Sequence, residues 1–267
     1  MLYSPISGYK EVIEFRDDTG GGIPPMGLNP CGDPFGGGCG GGGSGDDGYE
    51  YPEPPTNTPC EKIAEIGKHN TTKSLFENLK PKTNSTKEYG EILKESGGQI
   101  GNTSIEGEVG QGGMDLNFSG GPIDGFIHSH YTSLLSVFSP GDLASLAALY
   151  ATGNIKDVNT FIMGVVTASN TQYIMVIDDP DAFAAFAQQF LLPNGQINDT
   201  LTDLFGIIQY GKYNIKDSNL STTNELGFLK LLDDKNSGIK VLKGSNNSNS
   251  WAELKIKNGQ IDPIPCN

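Results

Sequence analysis

The pattern of apolar and polar positions changes character at residue 60. In CEKIAEIGKHNTTKSLFENLK the apolar residues Ile63, Ile66, Leu75, Phe76 and Leu79 recur at helical spacing, which predicts one or two short helices before Pro81. EYGEILKES and QIGNTSIEGEVG follow as two strands about a Gly97-Gly98 turn, and IDGFIHSH reads as a buried strand. SPGDLASLAALYATG predicts a helix with a strong start: Ser139 as N-cap, Pro140 at the first helical position, Asp142 at the third. TFIMGVVTAS and QYIMVIDD predict two more strands, joined as a hairpin at Asn170-Thr171. Three amphipathic helices come next, DPDAFAAFAQQFL, DTLTDLFGIIQYG and TTNELGFLKLLDD, and then GIKVLKGS and WAELKIKNGQ as a terminal hairpin. Helices and strands alternate, yet several neighbouring strands are hairpin-linked. The fold class is therefore α+β (mixed α/β), a single domain over residues 60–267 built on a mixed sheet.

Residues 1–59 are different in kind. Positions 19–48 hold fourteen glycines in thirty residues, with Pro24, Pro25, Pro30 and Pro34 among them, and YEYPEPPTNTP continues the bias. Such a segment buries little apolar surface against a large ordering entropy, so it reads as a tail or linker. Within it only YKEVIEF, residues 9–15, has the pattern of a strand.

Composition narrows the partners. Net charge is −14 and Arg16 is the sole arginine, whereas phosphate and base recognition lean on arginine. Nucleic acid is therefore not an expected partner. No apolar run reaches the ~18 residues of a membrane span. The start, MLYSPISGYKEVIEF, lacks the charged and apolar regions of a signal peptide, which leaves two readings open: a cytoplasmic protein, or a trimmed chain in an extracytoplasmic or secreted setting. The four cysteines, Cys31, Cys39, Cys60 and Cys266, form no CxxC pair, so a structural zinc knuckle is not expected. A Cys60–Cys266 disulfide between the two ends of the folded part is one expectation, with a second between Cys31 and Cys39. Four unrelated thiols are the alternative.

The chemistry concentrates in GFIHSHYTSLLSVFSPGDL, which carries two of the three histidines. In a strand, residues i and i+2 share a face, so His128 and His130 present two imidazoles side by side, a simple way of offering two nitrogens to one zinc ion. Asp142, in the first turn of the next helix, becomes a third ligand if the loop 131–139 folds over the strand end. The plainer reading is a strand end followed by a capped helix, because S-x-x-D ahead of an apolar run is close to a capping box. The two readings are compatible. His69 reads as a surface residue, and Trp251 and the aromatics of the late helices as core.

H-S-H, a short loop and S-P-G-D together resemble the signature of the JAMM/MPN+ (JAB-type) zinc metallopeptidases: an upstream Glu, H-x-H, seven residues, S-x-x-D. Here eight residues separate His130 from Ser139, one more than that pattern, with Ser136 as an alternative to Ser139. The family's glutamate opens a strand as E-x-x-G. EYGEIL supplies Glu88, although Glu91 stands where that Gly is usual, and Glu106 and Glu108 are competitors. The resemblance covers roughly residues 60–180. It implies an MPN/JAB-like mixed sheet flanked by helices, with the late helices and hairpin as an elaboration. It further implies Zn2+ held by His128, His130 and Asp142, with Glu88 as general base and acid and Ser139 as oxyanion donor. The reaction would be hydrolysis of a peptide or isopeptide bond in a protein or peptide substrate, by a metal-activated water. The alternative is a non-catalytic interaction or surface-assembly module whose histidines are structural.

Overall fold

The computed structural model describes residues 57–114, 116 and 121–266. The strand expected at residues 9–15, the Gly/Pro-rich segment up to residue 56, and Cys31 and Cys39 lie outside the described residues. The fold begins slightly before residue 60. Thr58 and Glu61 form a capping box on the short helix α1 (Pro59–Lys62), followed by α2 (Asn70–Leu79) and a 3-10 turn over Lys80–Asn84. His69 is no mere surface residue: it is half-buried and caps α2, its Nδ1 accepting the Thr71 N–H at 3.1 Å.

Next come β1 (Tyr89–Ser96), β2 (Gln99–Glu106), β3 (Gly125–His130), α3 (Pro140–Ala151), β4 (Ile162–Thr167) and β5 (Thr171–Ile177). The chain continues with α4 (Pro180–Ala187), α5 (Asp199–Lys212), α6 (Ser221–Asp234), β6 (Ile239–Gly244), β7 (Trp251–Lys257) and β8 (Gln260–Pro265). The eight strands form one sheet in the order β2-β1-β3-β4-β5-β6-β7-β8. It is mixed, as the hairpin pattern predicts. Only β3 and β4 run parallel, and the connection between them contains α3, since parallel neighbours need a crossover.

Period-two alternation sorts the strands onto two cores. Ile92, Phe126, Met163, Val165, Tyr173 and Met175 face α3 to α6, whereas Leu93, Ile127, Ile162, Val166, Ile174 and Val176 face α1 and α2. α3 is buried from Pro140 to Leu149, which explains why its sequence is apolar all round rather than on one stripe. Gly164 lets α2 approach the sheet: a Cβ there would stand 2.5 Å from Ile127 Cγ2 and 2.7 Å from Phe76 Cζ.

Three expectations shift in detail. Thr171 is already in β5, opposite Thr167, with their hydroxyls 2.7 Å apart, so the β4–β5 turn is Ala168–Asn170 with Asn170 alone at positive φ. The terminal hairpin is a three-stranded meander, because Asn258-Gly259, both at positive φ, turn the chain into β8. The pattern QIDPIP hid that strand, since its prolines are tolerated only at a sheet edge, where β8 lies. Trp251, Phe205 and Phe228 are core as expected, while Tyr210 is exposed on α5.

Cys60 and Cys266 are joined in a disulfide across 206 residues, with Cα atoms 5.2 Å apart, tying α1 to the end of β8. Among the described residues no helix is long and apolar enough to cross a membrane. The Cys60→Ser/Cys266→Ser variant should lose about 2–5 kcal/mol of stability, the usual cost of removing a native disulfide, in urea unfolding against the oxidised wild type. Equal midpoints would mean the bridge contributes nothing.

Candidate metal centre

β3 is buried at all six positions between β1 and β4. Phe126, His128 and His130 alternate onto the face that meets α3. Phe126 stacks on His128 with ring centroids 5.3 Å apart and planes 6° from parallel. Gly90, paired with His128, makes room for this stack, since a Cβ there would meet Phe126 Cε2 at 2.7 Å.

The loop 131–139 delivers the start of α3 to the same place. Ser139 and Asp142 form a capping box: the Asp142 N–H donates to Ser139 Oγ (3.1 Å) and the Ser139 N–H to Asp142 Oδ2 (2.6 Å). The same carboxylate reaches the histidines. Asp142 Oδ1 lies 2.9 Å from His128 Nε2, and Oδ2 lies 3.3 Å from His130 Nε2. The two Nε2 atoms are 3.1 Å apart.

These three spacings decide what the cluster can hold. A tetrahedral zinc with bonds of about 2.0–2.1 Å separates its ligand atoms by about 3.3 Å. The two Nε2 atoms, 3.1 Å apart, match one edge of that tetrahedron, and Asp142 turns one carboxylate oxygen to each imidazole, Oδ1 to His128 and Oδ2 to His130. His128, His130 and Asp142 therefore form a buried group that could hold a metal ion. The His130 Nδ1 stands 2.8 Å from the Leu135 carbonyl, which accepts its N–H, so Nε2 is the nitrogen turned to the cluster. His128 Nδ1 has no hydrogen-bond partner among the described residues.

Glu88 stands just ahead of β1. Its Oε1 is 3.8 Å from His130 Nε2, and its Oε2 accepts the Gly113 N–H at 2.9 Å. The Ser129 hydroxyl accepts the neighbouring Tyr89 N–H at 3.1 Å, and the Glu88 carbonyl takes the Gly107 N–H at 2.9 Å, so the backbone around Glu88 is held from both sides. Glu88, His128, His130, Ser139 and Asp142 are each at most 2% exposed. The competing glutamates are elsewhere: Glu106 is exposed and paired with Lys87, and Glu108 is exposed. Ser136 does not cap α3; its hydroxyl accepts from Asn224.

Burial pushes the Glu88 carboxyl above its ordinary range, against the pull of His130 and His128. Burial alone would depress His130, but Asp142 and then Glu88 outweigh it and raise the imidazole to about 9. Burial likewise opposes ionisation of Asp142, yet the two imidazoles hold it below the usual carboxylate range. The sequence singled out all five of these side chains. It did not reveal the Gly113 N–H, the Leu135 carbonyl or Asn224, since a backbone group carries no residue-type signal and Asn224 lies in a segment read only as helix.

Comparisons of the chain with protein-family models, with curated proteins and with solved structures give no match.

A pH dependence follows for the metal-free protein. His130 is protonated at neutral pH, so a metal ion must displace that proton. Binding should release about one proton at pH 7 and strengthen about tenfold per pH unit up to about 9. Calorimetric titration with zinc in buffers of different ionisation enthalpy reads this directly, and buffer-independent heats would contradict it. Without metal, the stability His130 contributes is complete below its ordinary 6.5 and disappears as pH rises through about 9. Metal-free protein should thus melt lower at pH 9 than at pH 6.5.

Proposed function

We propose that the protein is a zinc-dependent hydrolase of the JAMM/MPN+ type, cleaving a peptide or isopeptide bond in a protein substrate. The observation that carries the proposal is Glu88: a buried carboxylate whose Oε1 is 3.8 Å from His130 Nε2, beside the three residues that could hold a metal ion, while its Oε2 accepts the Gly113 N–H. Zinc suits two imidazoles and a carboxylate, and when bound it supplies Lewis acidity that brings the pKa of a water toward neutrality. Glu88 then accepts the proton as the water attacks the carbonyl and returns it to the departing amine. Burial raises its pKa, the direction that favours taking up and returning a proton. The Ser139 hydroxyl, whose oxygen caps α3, has its own proton free to donate to the developing oxyanion. All these groups are at most 2% exposed, so the reaction requires the site to open to substrate.

Mixed-sheet architecture with the histidines on β3 and the acid on α3 is compatible with an MPN/JAB-like core. α4 to α6 and the β6–β8 meander would be the elaboration. The Cys60–Cys266 bridge fits an oxidising, extracytoplasmic setting.

Complete burial also favours a second reading, a non-catalytic module in which Glu88 closes the coordination shell as a fourth ligand, because structural zinc sites are closed. Glu88→Gln separates the two. As general base, its loss leaves zinc content unchanged and lowers turnover of a peptide and isopeptide panel by about 10²–10⁴-fold. As a ligand, its loss releases the metal. Zinc-loaded wild type that cleaves nothing on the panel would contradict the hydrolase proposal.

A further inference from the structure

We infer that α6 is part of the metal centre and that Asn224 is a positioning residue for His130, acting through Ser136 and the Leu135 carbonyl; the inference rests on the metal-site reading above. On its Nδ1 side the His130 ring is oriented by a hydrogen bond to the Leu135 carbonyl at 2.8 Å, opposite the Nε2 that faces His128 and Asp142. That carbonyl belongs to the loop 131–139, so the loop must be immobile for the ring to be. The first half of the loop is held near the sheet, with the Thr132 N–H donating to the Thr83 carbonyl at 3.1 Å. Its second half is gripped by α6. Asn224 Nδ2 donates to Ser136 Oγ at 2.9 Å, and one turn later Phe228 packs on Phe138 with ring centroids 5.9 Å apart. Asn224 and Phe228 are four apart and share a helix face, while Ser136 and Phe138 are two apart in the loop, so the grip has two points.

Asn224 is 0% exposed and uses its whole hydrogen-bonding capacity. Its Nδ2 also donates to the Lys216 carbonyl at 2.7 Å, and its Oδ1 accepts the Lys216 N–H at 3.0 Å and Asn219 Nδ2 at 3.1 Å. An amide satisfied on every side has one orientation, and a fully satisfied buried network is rigid. The α5–α6 connector thus fixes Asn224, which fixes Ser136, the residue next to the carbonyl that aims His130. Within the loop the Leu134 N–H donates to the Tyr131 carbonyl at 3.0 Å, and α6 adds a restraint from outside on the half that carries Ser136 and Phe138.

The test uses the full chain and zinc itself, competed against a chromophoric chelator. Ser136→Ala removes only the oxygen that Asn224 grips, Ser136→Thr keeps it, and Asn224→Ala removes the clamp. Outer-shell changes of this kind weaken metal binding about 10–100-fold. Ser136→Ala and Asn224→Ala should each lower zinc affinity at least about tenfold, and the double variant no further than the weaker single. Ser136→Thr should stay within about threefold of wild type. Cobalt in place of zinc should show a shifted visible band in Ser136→Ala and an unshifted one in Ser136→Thr. Wild-type affinity and spectrum in folded Ser136→Ala would overturn the inference alone. Wild type that takes no zinc would overturn the metal reading and the inference with it. If Asn224→Ala fails to fold, the two Ser136 variants decide the matter.

Discussion

The Asp142 carboxylate meets two demands at once, and the site depends on their compatibility. One is local: the first turn of α3 needs an acceptor for the Ser139 N–H, which Asp142 Oδ2 supplies at 2.6 Å. The other is tertiary: two imidazoles at the end of β3 need negative charge within hydrogen-bond reach. Burying two histidines and two carboxylates at 2% exposure or less is costly unless each charge is compensated in place. The capping box fixes the carboxylate before any ligand arrives, so the donors are held near ion-binding spacing by the fold itself. The raised His130 and depressed Asp142 are the electrostatic signature of that preorganisation.

The rest of the architecture serves this junction. β3 lies between an antiparallel and a parallel neighbour, which fixes its register on both sides. Gly90 admits the Phe126 ring that stacks on His128, and Ser129 ties the strand to Tyr89, next to Glu88. α3 shares one core with the sheet and the aromatic cluster of Phe183, Phe186, Phe190 and Phe205, which holds the helix against the strands that carry the histidines. The late helices are therefore not a detached appendage, since α6 reaches the loop that carries the histidine's carbonyl partner.

What could be read from the chain followed from periodicity and capping. Period two placed His128 and His130 on one face, and the Ser139-Pro140-Gly141-Asp142 start placed α3; both are short-range rules that act within a few residues. The mixed sheet followed from hairpin-linked neighbours, whereas the sequence left a Cys60–Cys266 bridge and unpaired thiols both open, and the structure has the bridge. β8 escaped because two prolines argue against a strand except at an edge, and edge position is a property of the whole sheet. Leu135 and Gly113 escaped because they act through backbone groups. Asn224 escaped because its partner Ser136 is 88 residues away in sequence. Local signals found the clustered side chains; the groups that orient them are tertiary.

The central claim is that His128, His130 and Asp142 hold one zinc ion, and elemental mass spectrometry of the purified full chain tests it most directly, on wild type and on His128→Ala/His130→Ala. The account predicts about one zinc per wild-type chain and none in the double variant. Wild-type protein that carries no metal, even after zinc is offered at neutral pH, would contradict it and leave the histidines as a buried hydrogen-bonded pair at the end of a strand.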